Sequence, residues 1–357
     1  MSYCEACECS KGQIDRAGEA LKSSSPEDES YANALAIVNN WRACHAYPIN
    51  TFKSTLRKKV IGYNKPIVAQ RLKRLSTIID KLNRYPDMRL SRMNDIGGIR
   101  AVVDDMPELR KLQKQYKDKS RFSHKLNDED DYINHPKSDG YRGIHLVYKY
   151  NNTLARKSTA WKYEGLLVEL QIRTKLQHDW ATAVETIGFL REEALKSQSG
   201  SRDWLKFFEL VSCIFAYTEN TPLVPGYEGK TMSELVNEVT VLANKLNAID
   251  FIKGFSLAAK IIQDKRGARS GYYNLIVLNI PEKRVQIKAY KESDLKAATR
   301  DYAAAEAEIA KGANIEAVLV SAGALKSLKL AYPNYFLDIR SFAEKVKTII
   351  DIANSGV

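Results

Sequence analysis

Val168-Glu169-Leu170-Gln171-Ile172-Arg173 alternates strictly between apolar and polar residues. At a period of two, Val168, Leu170 and Ile172 face one side of a strand and Glu169, Gln171 and Arg173 the other. Such alternation is ordinary where a sheet meets water, so its meaning comes from the segments around it. Asp95-Ile96-Gly97-Gly98-Ile99-Arg100 places a carboxylate just before a second predicted strand, Ile96–Val103, with two glycines that let the backbone pass close to another group. If the two strands are neighbours, Asp95 and Glu169 can share one Mg²⁺, an ion that needs only one or two carboxylates beside phosphate oxygens and water. Phosphoryl transfer requires such a clamp, because charge on the transferring group must be neutralised in place.

Outward from this pair, Gly143–Tyr148 predicts a further strand, and Leu166–Ile172 frames the alternating segment. Helical patterns surround them. Ser25-Pro26-Glu27-Asp28 reads as a helix start, followed by Tyr31, Leu35, Val38 and Trp41 at helical spacing. A second helical stretch covers about Ile49–Arg84, and others cover about Lys175–Leu195, Trp204–Tyr217 and Ser233–Asn247. Helices alternating with strands predict an α/β (α+β) domain with a mixed sheet flanked by helices. From about residue 260 the character changes. Tyr272–Ile280 and Arg284–Tyr290 read as a β-hairpin, followed by an Ala-rich helix over about Ser293–Lys311, a strand at Ile315–Val320, and helices around Ala324–Leu330 and Phe342–Ala353. The expected division is a tail at 1–14, a catalytic domain at 15–255 and a small regulatory domain at 256–357.

The formal net charge is +12, and its distribution matters more than its size. His45–Lys125 holds 20 Lys and Arg against 7 Asp and Glu, and the rest of the chain is close to neutral. A basic excess confined to one segment fits a phosphate-rich ligand or a nucleic acid, and equally a solvated surface. No apolar run reaches the ~18 residues of a membrane span, and Met1–Gln13 has no signal-peptide pattern, so a cytoplasmic protein without a membrane partner is expected. Cys4, Cys7 and Cys9 cluster without an obvious fourth zinc ligand. A reduced flexible tail and a metal site closed by Cys44 and His45 are both open.

Two more segments carry chemistry. Arg71-Leu-Lys73-Arg74-Leu-Ser-Thr77-Ile-Ile-Asp-Lys81 reads as a basic helix with Arg71 and Arg74 on one face. Arginine suits polyphosphate because its fork binds two oxygens and its plane stacks on adenine. Asp131-Tyr-Ile-Asn-His-Pro-Lys137-Ser-Asp-Gly140-Tyr141-Arg142-Gly143-Ile-His145 reads as a loop entering a strand, with Lys137 and Arg142 available for phosphate and Tyr141 offering a ring to a base.

In this order the four segments resemble the RelA/SpoT synthetase family: its R-x-K-x-x-x-S/T-I-x-x-K helix, its D-I-x-G-x-R strand, its D-Y-I-x-x-P-K-x-x-G-Y-R-x-x-H loop, and its E-x-Q-I-R-T-x-x-x-H-x-W-A strand-to-helix turn, here Glu169–Ala181 with His178 and Trp180. Thr77 and Gly143 depart from the commoner residues. The resemblance implies a pyrophosphokinase using ATP and Mg²⁺. Arg71, Lys73, Arg74, Lys81 and Arg100 would serve ATP, and Asp95 and Glu169 the metal and catalysis. Lys137, Tyr141, Arg142, His145, Gln171 and Arg173 would serve the acceptor. Many members also carry a His-Asp hydrolase domain ahead of the synthetase; with the basic region beginning at about His45 that domain is expected to be absent, and His178-Asp179, which lies inside the synthetase motif, is not expected to be a hydrolase pair.

The continuation past the synthetase segments, ending near Tyr332-Pro-Asn-Tyr335, is similar to the CapRel group of fused toxin–antitoxin proteins. That resemblance implies tRNA as acceptor at its 3′ end, translation blocked as a defence against phage, and autoinhibition through Tyr332 and Tyr335. Release would come from a phage structural protein such as the major capsid protein. Against it stand an alarmone synthetase acting on GDP or GTP, and two tyrosines that simply pack the last helix. A monomer is expected.

Overall fold

The computed structural model describes residues 9–25, 27–118, 122, 124–151, 162–194, 201–264, 272–279, 281–282, 284–311, 313, 315–321 and 339–354. Tyr332, Tyr335, the expected helix at 324–330, Pro26, Cys4 and Cys7 lie outside the described residues. Among the described residues, Cys9, Cys44 and Cys213 form no disulfide.

The chain divides into two compact units, residues 1–133 with 143–175, and residues 134–142 with 176–357. The first is built from α1 (Lys11–Ser23), α2 (Glu29–Cys44), α3 (Ala46–Lys59), β1 (Ile67–Leu72), α4 (Leu75–Arg84), β2 (Gly97–Val103), α5 (Met106–Lys117), β3 (Lys125–Asp131), β4 (Ile144–Lys149) and β5 (Leu167–Thr174). Its sheet runs β1-β2-β5-β4-β3. Strands β2 and β5 are parallel and the other pairs antiparallel. The alternation read at residues 168–173 decides which face is buried. Ile99, Leu170 and Leu146 pair in one cross-strand row, and Ala101, Ile172 and Ile144 in another. All six join Phe52 and Leu56 of α3 and Leu109 and Leu112 of α5 in one apolar core. The opposite face keeps the polar residues.

Three expectations change here. The helix expected over 49–84 is interrupted by strand β1. Pro66 lacks an N–H and disfavours helix in the residue before it, so a helix cannot run through. Arg71 therefore sits on a strand and Arg74 at the N-cap of α4, not on one helical face. The tail expected through residue 14 ends earlier, because Ser10 and Gln13 form a reciprocal capping box that starts α1 at Lys11. Helix α2 begins at Glu29 with Asp28 at the cap, later than Ser25-Pro26 predicts. Strand β3, Lys-Leu-Asn-Asp-Glu-Asp-Asp, has almost no apolar alternation and is held by backbone pairing at the sheet edge, where charge also discourages further strand addition.

The second unit holds α6 (Lys175–Ala194, joining at Leu176), α7 (Ser201–Thr218), α8 (Met232–Lys245), α9 (Ala248–Asp264), β6 (Tyr273–Asn279), β7 (Arg284–Tyr290), α10 (Leu295–Ala310), β8 (Ile315–Ser321) and α11 (Arg340–Asn354). The sheet, in order β7-β6-β8, is antiparallel throughout. Residues of β6 are buried alternately on both sides. Ile276 and Leu278 enter the large core with Phe251 and Phe255 of α9, while Leu275 clusters with Tyr290 and Ala298. The division does not fall at 255/256. That position lies inside α9, and α6–α9 share one core with β6, β8 and α11. Phe342 of α11 is fully buried against Phe208 and Phe215 of α7. Phe342→Ala should lower stability by about 3–5 kcal/mol through loss of burial and the cavity left behind, read as a shifted urea midpoint with unchanged slope.

Candidate active site

The polar face of the first unit's sheet is organised by register. Arg71 of β1 pairs with Gly98 of β2, and Gly98 with Glu169 of β5. Because Gly98 has no side chain, nothing stands between the arginine and the carboxylate. A Cβ there would lie 3.9 Å from Arg71 Cγ and 4.0 Å from Glu169 Oε2. In the next row Arg100, Gln171 and His145 are cross-strand neighbours.

Glu169 is only 8% exposed, and its oxygens are held by neighbours. His145 Nδ1 donates to Oε1 at 2.9 Å, and Gln171 Nε2 donates to Oε2 at 2.8 Å. The Gln171 carbonyl in turn accepts from Arg100 Nε at 3.2 Å and from Arg173 Nη2 at 3.4 Å. The amide of Gln171 is thereby oriented, with its donor end on the carboxylate and its acceptor end on two guanidinium groups. The Tyr132 and His145 rings meet nearly perpendicular, centroids 5.2 Å apart. Burial works to raise the Glu169 pKa, but the His145 hydrogen bond and charge, with Arg71 and Gln171, outweigh it and hold the group at about 2.

Asp95 sits two residues ahead of β2, between two ammonium groups. Lys73 Nζ lies 2.6 Å from one oxygen and Lys81 Nζ 3.1 Å from the other. Burial pushes Asp95 upward, Lys73 and Lys81 pull it down further, and the net displacement is downward even though the Glu169 charge opposes it. The two carboxylates thus feel one another. Lys73 is buried, and burial lowers its pKa despite the Asp95 partner. Its backbone is fixed by Arg42 Nε on its carbonyl and by its own N–H on the Ile96 carbonyl. Of the expected ATP residues, Lys73 and Lys81 gather on Asp95 and Arg71 acts on Glu169.

These donors fit Mg²⁺ in kind. Two hard, anionic carboxylates each offer about four lone-pair positions, only some of them used by the observed hydrogen bonds. Among the described residues no group of three or more His, Cys, Asp or Glu is placed to hold a metal ion.

Lys137, Tyr141 and Arg142 belong to the second unit. Lys137 is exposed, with its ammonium 5.2 Å from the Tyr141 ring centre, and Tyr141 leans on the unit's core. Arg142 corrects the expectation of an available phosphate ligand. It is 3% exposed, donates through Nε to Ser212 Oγ at 3.0 Å and through Nη1 to Thr221 Oγ1 at 3.5 Å, and feels the charge of Glu219. Of the His178-Asp179 pair, His178 is buried, and Asp179 accepts from Ser341 and Lys345 of α11. Sequence reasoning missed Ser212. The signal was a lone hydroxyl in the apolar run Leu210-Val-Ser-Cys-Ile-Phe215.

Against known proteins, residues 70–188 match the family profile described as a region found in RelA / SpoT proteins. The chain is 32% identical over 127 residues to the GTP pyrophosphokinase YjbM of Bacillus subtilis (strain 168), covering 34% of this chain and 56% of that protein. It is 31% identical over 131 residues to the probable chloroplastic GTP diphosphokinase RSH3 of Arabidopsis thaliana, covering 36% of this chain and 16% of that protein. The matches therefore span little more than half of the first relative and a small part of the second. Among solved structures, small alarmone synthetase 1 of Bacillus subtilis bound to its product pppGpp aligns with TM-score 0.43 and 19% identity, over 51% of this chain and 92% of that one. Small alarmone synthetase 2 of the same organism aligns with TM-score 0.41 and 22% identity, over 54% and 95%.

The depressed Glu169 pKa has a measurable consequence. Its folded value lies below that of the unfolded chain, so the carboxylate adds stability above pH about 4.5, and this contribution fades as pH falls toward about 2. The stability difference between wild type and Glu169→Gln in urea titrations should shrink across that window and stay constant from pH 5 to 7.

Proposed function

We propose that residues 70–188, which match a region found in RelA / SpoT proteins, form a synthetase domain, and that the chain is an ATP-dependent pyrophosphokinase whose acceptor is a ribose hydroxyl. The observation that carries this reading is the row Arg71–Gly98–Glu169 with Asp95 held nearby by two lysines. An acceptor oxygen bonds to the β-phosphorus of ATP, the bond from that phosphorus to the α–β bridging oxygen breaks, AMP leaves, and the hydroxyl proton departs. Mg²⁺, held by Asp95 and Glu169, would supply charge neutralisation at the phosphates. Arg71, Lys73, Arg74, Lys81 and Arg100 would hold ATP, and alignment and charge would supply most of the rate. Lys137, Tyr141, His145, Gln171 and Arg173 would orient the acceptor, with Tyr141 stacking on its base. A carboxylate held at about pKa 2 is a weak base in the ground state. We therefore assign Glu169 the proton late, once the new bond to phosphorus has made the hydroxyl acidic.

For the acceptor, the reading is the 3′ hydroxyl of the tRNA CCA end, so that modified tRNA can no longer be charged and translation stops. Its support is the basic excess at His45–Lys125 and the large second unit extending beyond the synthetase domain. In this reading the C-terminal region with Tyr332 and Tyr335 restrains the enzyme and a phage structural protein releases it. The rings would act by stacking on arginine, worth about 0.5–2 kcal/mol each. A second reading, GDP or GTP as acceptor, is favoured by the relatives named as GTP pyrophosphokinases.

The deciding experiment supplies β-labelled ATP with bulk tRNA or with GDP. Label should appear on tRNA; label on GDP alone selects the second reading, and label on neither removes both. Gly98→Val, which places a side chain between Arg71 and Glu169, should cut transfer about a hundredfold with little change in thermal midpoint. Expression of the Tyr332→Ala, Tyr335→Ala double variant should halt growth without infection, and healthy growth with an active double variant would exclude restraint by these rings.

A further inference from the structure

Ser212 lies in α7, outside the synthetase match at 70–188, and is 2% exposed. A hydroxyl buried in an apolar helix needs internal partners. Its two partners flank Tyr141 in the chain. Ser212 Oγ donates to the Gly140 carbonyl at 2.6 Å and accepts from Arg142 Nε at 3.0 Å. The turn between them has no slack. Gly140 has φ +90, a region that favours glycine, and a Cβ there would stand 3.0 Å from both Ser212 Cβ and Trp180 Cζ2. Trp180 is itself fixed by its Nε1 donating to the Phe208 carbonyl at 2.8 Å. Within the turn, the Gly140 N–H donates to the Lys137 carbonyl at 2.9 Å and the Tyr141 N–H to Asp139 Oδ1 at 2.9 Å.

One oxygen thus pins the backbone on one side of Tyr141 and the side chain on the other. We propose that Ser212 is a positioning residue for the acceptor: its hydroxyl holds the Lys137–Arg142 turn so that Tyr141 presents its ring in a single orientation. This rests on the assignment of Tyr141 to the acceptor made above. Arg142 acts with Ser212 as an internal strut, and α7 sets acceptor affinity without touching acceptor.

The test compares wild type, Ser212→Ala, Tyr141→Ala and the double variant, using labelled ATP and whichever of GDP or bulk tRNA wild type labels. Ser212→Ala should raise the acceptor KM about tenfold and leave the ATP KM within about twofold. In the Tyr141→Ala background the same substitution should add less than about twofold, because the two act as one unit. Amide hydrogen exchange across Lys137–Arg142 should speed about tenfold or more in Ser212→Ala, with β4 and β5 unchanged. Equal rises in both KM values, full additivity, or unchanged exchange in the turn overturns the proposal. If wild type labels neither acceptor, the activity reading fails on its own, and the exchange measurement still decides whether Ser212 holds the turn. Should Ser212→Ala not fold, Ser212→Cys, close in volume and a poor hydrogen-bond partner, serves the same comparison.

Discussion

A carboxylate buried at Glu169 is the constraint around which the first unit is arranged. Taking such a charge from water costs several kcal/mol unless it is paired and hydrogen-bonded. Here the compensation comes from three strands at once: His145 on β4, Gln171 on the same strand β5, and Arg71 on β1. Each contribution needs the register. A slip of one residue in β5 would turn Glu169 into the apolar core and bring Leu170 to the polar face. The geometry that makes the charge tolerable therefore also specifies the strand pairing, and the fold and the site are one requirement.

Gly98 shows how that requirement reaches the sequence. It lies between Arg71 and Glu169 in the cross-strand row, where a larger side chain would separate them. The lysines on Asp95 answer the same problem differently. Two ammonium groups converge on one carboxylate that also feels the Glu169 charge. Positive charge gathered beside two fixed anions leaves this face of the sheet locally balanced.

Much of this was legible in the sequence. Strict alternation at 168–173 gave the faces of β5 correctly, and Asp95 with its following glycines marked β2. The failures have physical causes. Arg71 read as helical because a basic run with scattered apolar residues satisfies a period of 3.6 about as well as a short edge strand satisfies 2; Pro66 was the overlooked punctuation. Strand β3 was invisible because its stability comes from the ladder with β4, not from side-chain burial. Arg142 was misjudged because nothing local reveals that Ser212 and Thr221, some seventy to eighty residues on, will surround it.

The second unit bears on how far the matched region can stand alone in this chain. The family match ends at residue 188, within α6, yet that helix is not finished as a folded object there. Trp180, Ala183 and Ile187 are buried in a core completed by α7, α8, α9, two strands of the C-terminal sheet and α11. Asp179, inside the matched motif, accepts hydrogen bonds from Ser341 and Lys345 in the last helix. Deleting the C-terminal elements would expose apolar surface on α6 and remove partners from Asp179. Residues beyond the match are therefore part of what holds the motif's own helix. Any change in how α11 seats would be felt first at Asp179, next in sequence to the buried His178, and not at a remote appendage.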